Sequence, residues 1–221
     1  MNFSIAEENY IKAIWHLQQS DNNVTTNELA AELQTKPASV TDMLKRLKGK
    51  KMLYYEPYYG VKLNADGKKL ALAIIRKHRL WEFFLVEKLK FNWDEVHAIA
   101  EELEHVSSIE LIQRLDHFLG NPRFDPHGDP IPDHSGKMEI IHQISLDQLK
   151  ENQQAIVTGV GDQSSSLLDV LNKKKISIGT KLEVKQRFEY DHSIEIKIRN
   201  QPLVTLSEQL AKKIYVKVVP S

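Results

Sequence analysis

Apolar residues recur at helical spacing through the first half of the chain and change to strict alternation in the last third. Over residues 6–19, Tyr10, Ile11, Ile14, Trp15 and Leu17 fall mostly on one side, which predicts an amphipathic helix. Thr25, Thr26, Asn27 and Glu28 supply N-cap chemistry for a short helix through Leu33. Pro37, at a favoured first-turn position, precedes a helix over 38–48 whose Val40, Met43, Leu44 and Leu47 are spaced to pack on its predecessor. The opposite side presents Lys36, Ser39, Thr41, Asp42, Lys45 and Arg46.

Two helices joined by a tight turn, the second short and polar-faced, form a helix-turn-helix unit. Residues 52–56 and 61–63 read as strands joined by Pro57, Tyr58, Tyr59 and Gly60, a β-hairpin wing behind the second helix. A winged helix binds protein or serves as structure in some settings. The basic, hydroxyl-rich helix face and the basic wing point instead to double-stranded DNA. The helix would enter the major groove while lysines and arginines neutralise phosphates and release counterions. Base-edge contacts would come from Ala38, Ser39, Thr41 and Asp42.

Asp66 and Gly67 open a long helix that runs to about Lys90. In a following helix, His97, Glu101, Glu104 and His105 would stand at i, i+4, i+7 and i+8, a single stripe of two imidazoles and two carboxylates. His78 and Glu82 repeat the i, i+4 spacing. Such a set resembles the coordination shell of a divalent metal; the plainer alternative is a solvated acidic face with incidental histidines. Ser107 and Ser108 offer caps for another apolar helix ending near Leu119 and Gly120, and a connector rich in Pro, Gly, Asp and His covers 121–137. From about Ser145 the runs Ala155-Ile156-Val157, Lys181-Leu182-Glu183-Val184 and Ile194-Glu195-Ile196-Lys197-Ile198 predict strands of a small β-barrel, with one helix over 165–174.

Composition narrows the chemistry. The 221 residues include no cysteine, so disulfides and thiolate ligands are excluded and any metal is held by nitrogen and oxygen. No apolar run approaches the roughly 20 residues that span a bilayer, and the N-terminus lacks a signal-peptide pattern, which leads to a cytoplasmic expectation. The net charge of zero hides a segregation. Residues 1–80 carry 13 Lys+Arg against 8 Asp+Glu, residues 81–135 carry 4 against 12, and residues 136–221 carry 13 against 10. A basic head beside an acidic middle suits a polyanion-binding module next to a cation-binding one. Catalysis is not expected. No His-Glu-x-x-His pattern occurs, Glu101 stands where the inverted zinc motif requires His, and neither a Gly-rich phosphate loop nor a nucleophile motif appears.

The winged helix, then Arg76-Lys77-His78-Arg79-Leu80, then Glu101-Glu102-Leu103-Glu104-His105-Val106, resembles the diphtheria toxin repressor family of metal-dependent regulators. The loop Phe124-Asp125-Pro126-His127-Gly128-Asp129-Pro130-Ile131-Pro132 resembles that family's connector, and the C-terminal piece its SH3-like domain. The resemblance covers nearly the whole chain. It implies a mainly α fold with a small β component: a winged helix-turn-helix over 1–64, a helical metal-binding and dimerisation domain over 65–140, and an SH3-like barrel over 141–221.

It further implies a primary metal site of His78, Glu101, Glu104 and His105, with a first-helix ligand at Asn9 or its neighbours Glu8 and Glu7. An ancillary site would map to Glu82, Asp125, His127 and Asp162, with His97 close by. The family's short manganese-sensing members carry a carboxylate where this chain has Lys12, which favours the longer, ancillary-site arrangement here. The implied protein is a homodimer on a palindromic operator, most simply a repressor of metal-uptake genes. Its oxygen-rich donors favour Mn(II), with Fe(II) second. Ile99, Leu103, Val106, Ile109, Leu111, Ile112 and Leu115 are candidates for the dimer face or for the core. A winged-helix regulator that senses a small organic ligand is the alternative from another class.

Overall fold

A computed structural model describes residues 3–18, 23–106, 108–140 and 142–219. The predicted ends at Gln19 and Ser107 therefore lie outside the described residues. The chain forms two compact units, one of residues 1–78, 101–114 and 132–138, the other of residues 79–100, 115–131 and 139–221.

The first unit contains the winged helix. Helix α1 (Ile5–Leu17) starts at a capping box in which Ser4 and Glu7 satisfy each other's backbone amides. Helix α2 (Thr26–Glu32) opens on the same device, Thr25 with Glu28, and α3 (Pro37–Gly49) opens on Pro37. The wing is the antiparallel pair β1 (Leu53–Glu56) and β2 (Gly60–Leu63), in register Leu53 to Leu63 and Glu56 to Gly60. Val24 bridges to Val61 and ties the approach to α2 onto the wing. That contact needs Gly60: at its φ of +94° a Cβ would stand 2.6 Å from the Val24 carbonyl oxygen. Ile11, Ile14, Leu29, Val40, Leu44, Leu47, Leu53, Val61 and Leu63 form the core beneath.

Helix α4 (Ala65–Glu87) is the long helix expected from the sequence, and α5 (Val96–Leu103) and α6 (Ile109–Phe118) follow. The expected metal stripe differs in one respect. α5 stops at Leu103, so Glu104 and His105 lie in the turn after it and the four residues do not share one helix face. The turn frees Glu104 to point inward, where it is fully buried. Of the apolar candidates on α6, Ile112 and Leu115 are buried, whereas Ile109 and Leu111 are exposed along with Phe118.

The C-terminal sheet has six antiparallel strands in the order β3-β8-β4-β5-β6-β7, with β3 (Ile144–Ser145), β4 (Gln154–Val160), β5 (Lys181–Arg187), β6 (Ile194–Ile198), β7 (Leu203–Leu206) and β8 (Ile214–Val218). Among the described residues the strand order ends on β3 and β7, and no pairing between them closes the six-stranded sheet into the expected barrel. Helix α7 (Ser165–Lys173) is the helix foreseen, and α8 (Glu208–Ala211) is a short addition. Alternation buries Leu182 and Val184 of β5 and Ile194, Ile196 and Ile198 of β6 against Leu168 and Leu171 of α7.

Candidate metal centres and nucleic-acid face

The first cluster joins α1 to the turn after α5, within the first unit. Glu104 contributes both oxygens: Oε2 is 2.7 Å from His78 Nδ1, and Oε1 lies 3.7 Å from His105 Nε2. His105 Nδ1 is in turn 2.6 Å from Glu8 Oε2, so a carboxylate on α1 orients the ring and leaves Nε2 toward Glu104. Glu101 Oε1 is 3.9 Å from His78 Nδ1. Asn9, the neighbour of Glu8 on α1, has a buried side-chain oxygen with no hydrogen-bond partner among the described residues. A buried acceptor in that state is expensive unless a cation or donor meets it. The donor set of carboxylate, imidazole and amide oxygen therefore fits a hard divalent ion. Burial alone would raise the Glu104 pKa, but His78 and the Lys12 ammonium hold its carboxyl below the ordinary range.

Glu7 takes no part in that cluster. It is buried on the other side of α1, 2.9 Å from Arg46 Nε and 2.8 Å from Lys50 Nζ, both on or just after α3. Its pKa is lowered: burial opposes ionisation, and Lys50, the Ser4 amide and Arg46 outweigh it. One helix thus carries Glu7 toward α3, Glu8 toward His105, and Lys12 toward Glu101 and Glu104.

The second cluster lies within the second unit. One ligand atom each from Glu82, Asp125 and His127 lies within 4.8 Å of the others, and all three residues are buried. The loop is built for this. Asp125 Oδ1 accepts from the amides of His127 (2.8 Å) and Asp129 (3.0 Å), closing a tight turn. Gly128 lets the turn dock on β4: with φ +90°, an added Cβ would meet the Thr158 carbonyl oxygen at 2.0 Å. His127 Nε2 lies 2.8 Å from the Trp93 carbonyl, which can only accept, so that nitrogen carries the hydrogen and Nδ1 faces Glu82 Oε2 at 3.5 Å. Asp125 Oδ2 and His127 Nδ1 have no hydrogen-bond partner among the described residues, although Arg79 Nε lies 3.5 Å from Asp125 Oδ2. Burial and the neighbouring Asp129 and Glu82 charges push the Asp125 carboxyl up to about 7. Burial pushes His127 down, yet the Glu82 and Asp125 carboxylates keep its pKa above the ordinary imidazole value. These buried atoms and the surplus of negative charge fit a divalent cation.

His97 stands at the edge of this cluster, half exposed, with Nδ1 3.3 Å from Glu82 Oε1. Asp162 is exposed, and its carboxylate accepts from the Ser164 amide. Its neighbour Gln163 reaches the loop, donating to Asp129 Oδ2 at 2.9 Å. Lys12, Arg79, Asp129 and Gln163 were absent from the sequence-derived ligand sets. Lys12 carried a usable signal, since it lies four residues after Glu8 and three after Asn9, on their side of the helix.

On α3 and its N-cap, Lys36, Ala38, Ser39, Asp42, Lys45 and Arg46 are exposed and Thr41 is partly so, its hydroxyl donating to the Pro37 carbonyl at 3.1 Å. Tyr54, Tyr58 and Tyr59 project from the wing. No described helix is long and apolar enough to cross a membrane.

Comparison with known proteins is consistent along the chain. The family model for the iron dependent repressor N-terminal DNA binding domain matches residues 2–61. That for the iron dependent repressor metal binding and dimerisation domain matches 64–133, and the FeoA domain matches 144–218. The iron-dependent repressor IdeR of Mycobacterium leprae (strain TN) is 33% identical over 125 residues, 57% of this chain and 54% of that protein. The chain therefore spans about half the length of that relative. The diphtheria toxin repressor of Corynebacterium jeikeium (strain K411) is 31% identical over 149 residues, 67% of this chain and 61% of that one. A solved manganese-dependent transcriptional repressor in complex with manganese superposes with a TM-score of 0.84 at 32% identity, covering 96% of this chain and 100% of that one.

Proposed function

The chain belongs to the diphtheria toxin repressor family of metal-dependent transcriptional regulators, and on that premise we propose that it is a cytoplasmic, homodimeric repressor whose DNA binding is switched on by Mn(II). The observation that carries the proposal is the first cluster. Glu8 on α1 of the winged helix is bonded to His105 in the turn after α5, and Asn9 beside it is the proposed α1 donor, so filling the cluster would restrain the DNA-reading head against the helical region.

A divalent ion held there supplies a positive charge that binds oxygen and nitrogen donors from both elements at once. The rest is done by the chain. Asn9 presents its amide oxygen from α1, Glu8 fixes the His105 ring, and Glu7 grips Arg46 and Lys50 so that α3 follows α1. α3 would then offer Ala38, Ser39, Thr41 and Asp42 to base edges, with Lys36, Lys45 and Arg46 on phosphates. Exposed Ile109, Leu111 and Phe118 on α6 suit an isologous dimer contact, and two-fold symmetry would pair with a palindromic operator.

The energetics suffice for a switch. One site filled at about 100 times its Kd adds roughly 2.7 kcal/mol to the competent state. Two sites per dimer give roughly 5.4 kcal/mol, against the roughly 5.5 kcal/mol that moves a population from 1:99 to 99:1.

Manganese is favoured over iron because the proposed donors are oxygen and nitrogen, with neither Cys nor Met among them. Fe(II) is the second candidate. Asn9, His78, Glu101, Glu104 and His105 are proposed for the primary site. Glu82, Asp125 and His127, with His97 at the rim, are proposed for the ancillary one, and the exposure of Asp162 supports a peripheral part for it. Selection of genomic fragments with Mn(II) and again with chelator, followed by footprinting, tests the reading. Expected are fragments retained only with metal, each protecting two inverted half-sites; retention that ignores the chelator would overturn it.

A further inference from the structure

We propose that Lys12 is a tethered cation that competes with the metal for the first cluster and sets the concentration at which that cluster fills. This inference rests on the metal-sensor reading above and adds a residue that does not ligate. Lys12 Nζ lies 2.5 Å from Glu101 Oε1, 2.7 Å from Glu104 Oε1 and 2.8 Å from Glu104 Oε2. An ammonium has three hydrogens, and these three contacts account for all of them. The side chain is only 12% exposed. Both oxygens of Glu104 and one of Glu101, the anionic donors any divalent ion would require, are thus already bonded to a positive charge from the chain itself.

Two consequences follow. The metal-free cluster is electrostatically satisfied, so the protein does not depend on metal to relieve repulsion between the two carboxylates. A metal ion gains those oxygens only by displacing the ammonium, and the net affinity is the difference between the two cations. The displaced group has a way out. Glu101 is 37% exposed and marks the wet edge of the cluster, and a lysine stem swings to water at little cost. The exchange also alters the restraint on α1. Lys12 holds the carboxylates through a flexible four-carbon stem, whereas Asn9, whose side-chain oxygen Lys12 leaves unsatisfied, is short and fixes the helix closely.

The test compares the full-length protein with Lys12→Leu, which removes the charge, and Lys12→Arg, which keeps it. His127→Gln is introduced throughout to silence the second cluster. Mn(II) affinity is read from the electron paramagnetic resonance signal of free Mn(II), with melting temperature followed in parallel.

Displacing a charge-assisted set of hydrogen bonds is worth enough that Lys12→Leu is expected to bind Mn(II) roughly 10- to 100-fold more tightly. It should also melt lower without metal and regain its stability with it. Lys12→Arg should stay weak. If Lys12→Leu does not fold without metal, it is prepared with Mn(II), and slower loss of the ion to a chelator than in the Lys12 protein is the supporting result. Equal or weaker binding by Lys12→Leu, with the Lys12 protein still binding Mn(II), overturns the competitor role alone. Failure of both to bind any divalent ion overturns the metal-sensor reading and this inference together.

Discussion

The two carboxylate–histidine clusters are built from the same residue types and neutralised to different degrees. In the first, an ammonium from α1 lies among the oxygens of Glu101 and Glu104, and Glu104 ionises readily. In the second, Glu82, Asp125 and Asp129 crowd together behind Arg79 and His127, and the Asp125 carboxyl is pushed up to about 7. A buried carboxylate group can be stabilised by a cation from the chain or by holding a proton. At the first cluster metal entry is an exchange of cations; at the second, where Arg79 already stands beside Asp125 and Asp129, it also works against the proton that burial favours on Asp125. The two sites should therefore answer differently to mutation and to pH.

The largest expected separation comes from Gly128→Ala. A Cβ there meets the Thr158 carbonyl at a positive φ, so the 125–129 turn must leave β4. We expect the second cluster to lose its metal and the second unit to lose about 3 kcal/mol or more, with the first cluster untouched. Calorimetric metal titration alongside thermal melting checks this; loss of both sites would show that the clusters are not independent. Next in size is Glu104→Gln, which should weaken binding at the first cluster by at least about 100-fold while sparing the second. Stoichiometry falling by one ion per chain is the expected readout.

The pH dependence of the metal-free protein is smaller. The folded pKa of Asp125 lies above the ordinary carboxyl value of 3.8, so the stability it contributes is complete below 3.8 and is lost as pH rises through about 7. Melting temperatures across that window should fall with rising pH, and Asp125→Asn should remove most of the slope. A slope of opposite sign would contradict the protonated-carboxyl account. Smallest is Asp162→Ala. The exposed carboxylate caps a turn, and its loss should change affinity at the second cluster by less than about twofold. A larger loss would give Asp162 the full ligand role the family resemblance implied.

Much of this was legible in the sequence, and the failures have identifiable physical causes. The capping residues Thr25 and Glu28, Pro37 at the start of α3, and the wing around Gly60 are local signals, and they mark elements close to their observed bounds. The alternation at Lys181–Arg187 and Ile194–Ile198 likewise marks strands. The end of α5 was not legible: Glu101 to His105 are all compatible with a helix, so no local signal marks the stop at Leu103. Lys12 stood out in the sequence by its position after Glu8 and Asn9 and by its departure from the family's carboxylate, but its role was not legible, because its partners are 89 and 92 residues away in sequence. The separation of Asp162 from Gln163 turns on one residue of register at the end of a strand, which composition does not encode.

Control of DNA binding by metal is the central claim. The direct measurement is fluorescence anisotropy of a selected operator fragment at fixed salt while Mn(II) is titrated into metal-free protein, with Fe(II) under anaerobic conditions and Zn(II) in parallel. The account predicts an affinity gain of roughly 100-fold that saturates with the first cluster, reached with Mn(II) and abolished by Glu104→Gln. Operator affinity that is the same with and without every divalent ion would contradict it.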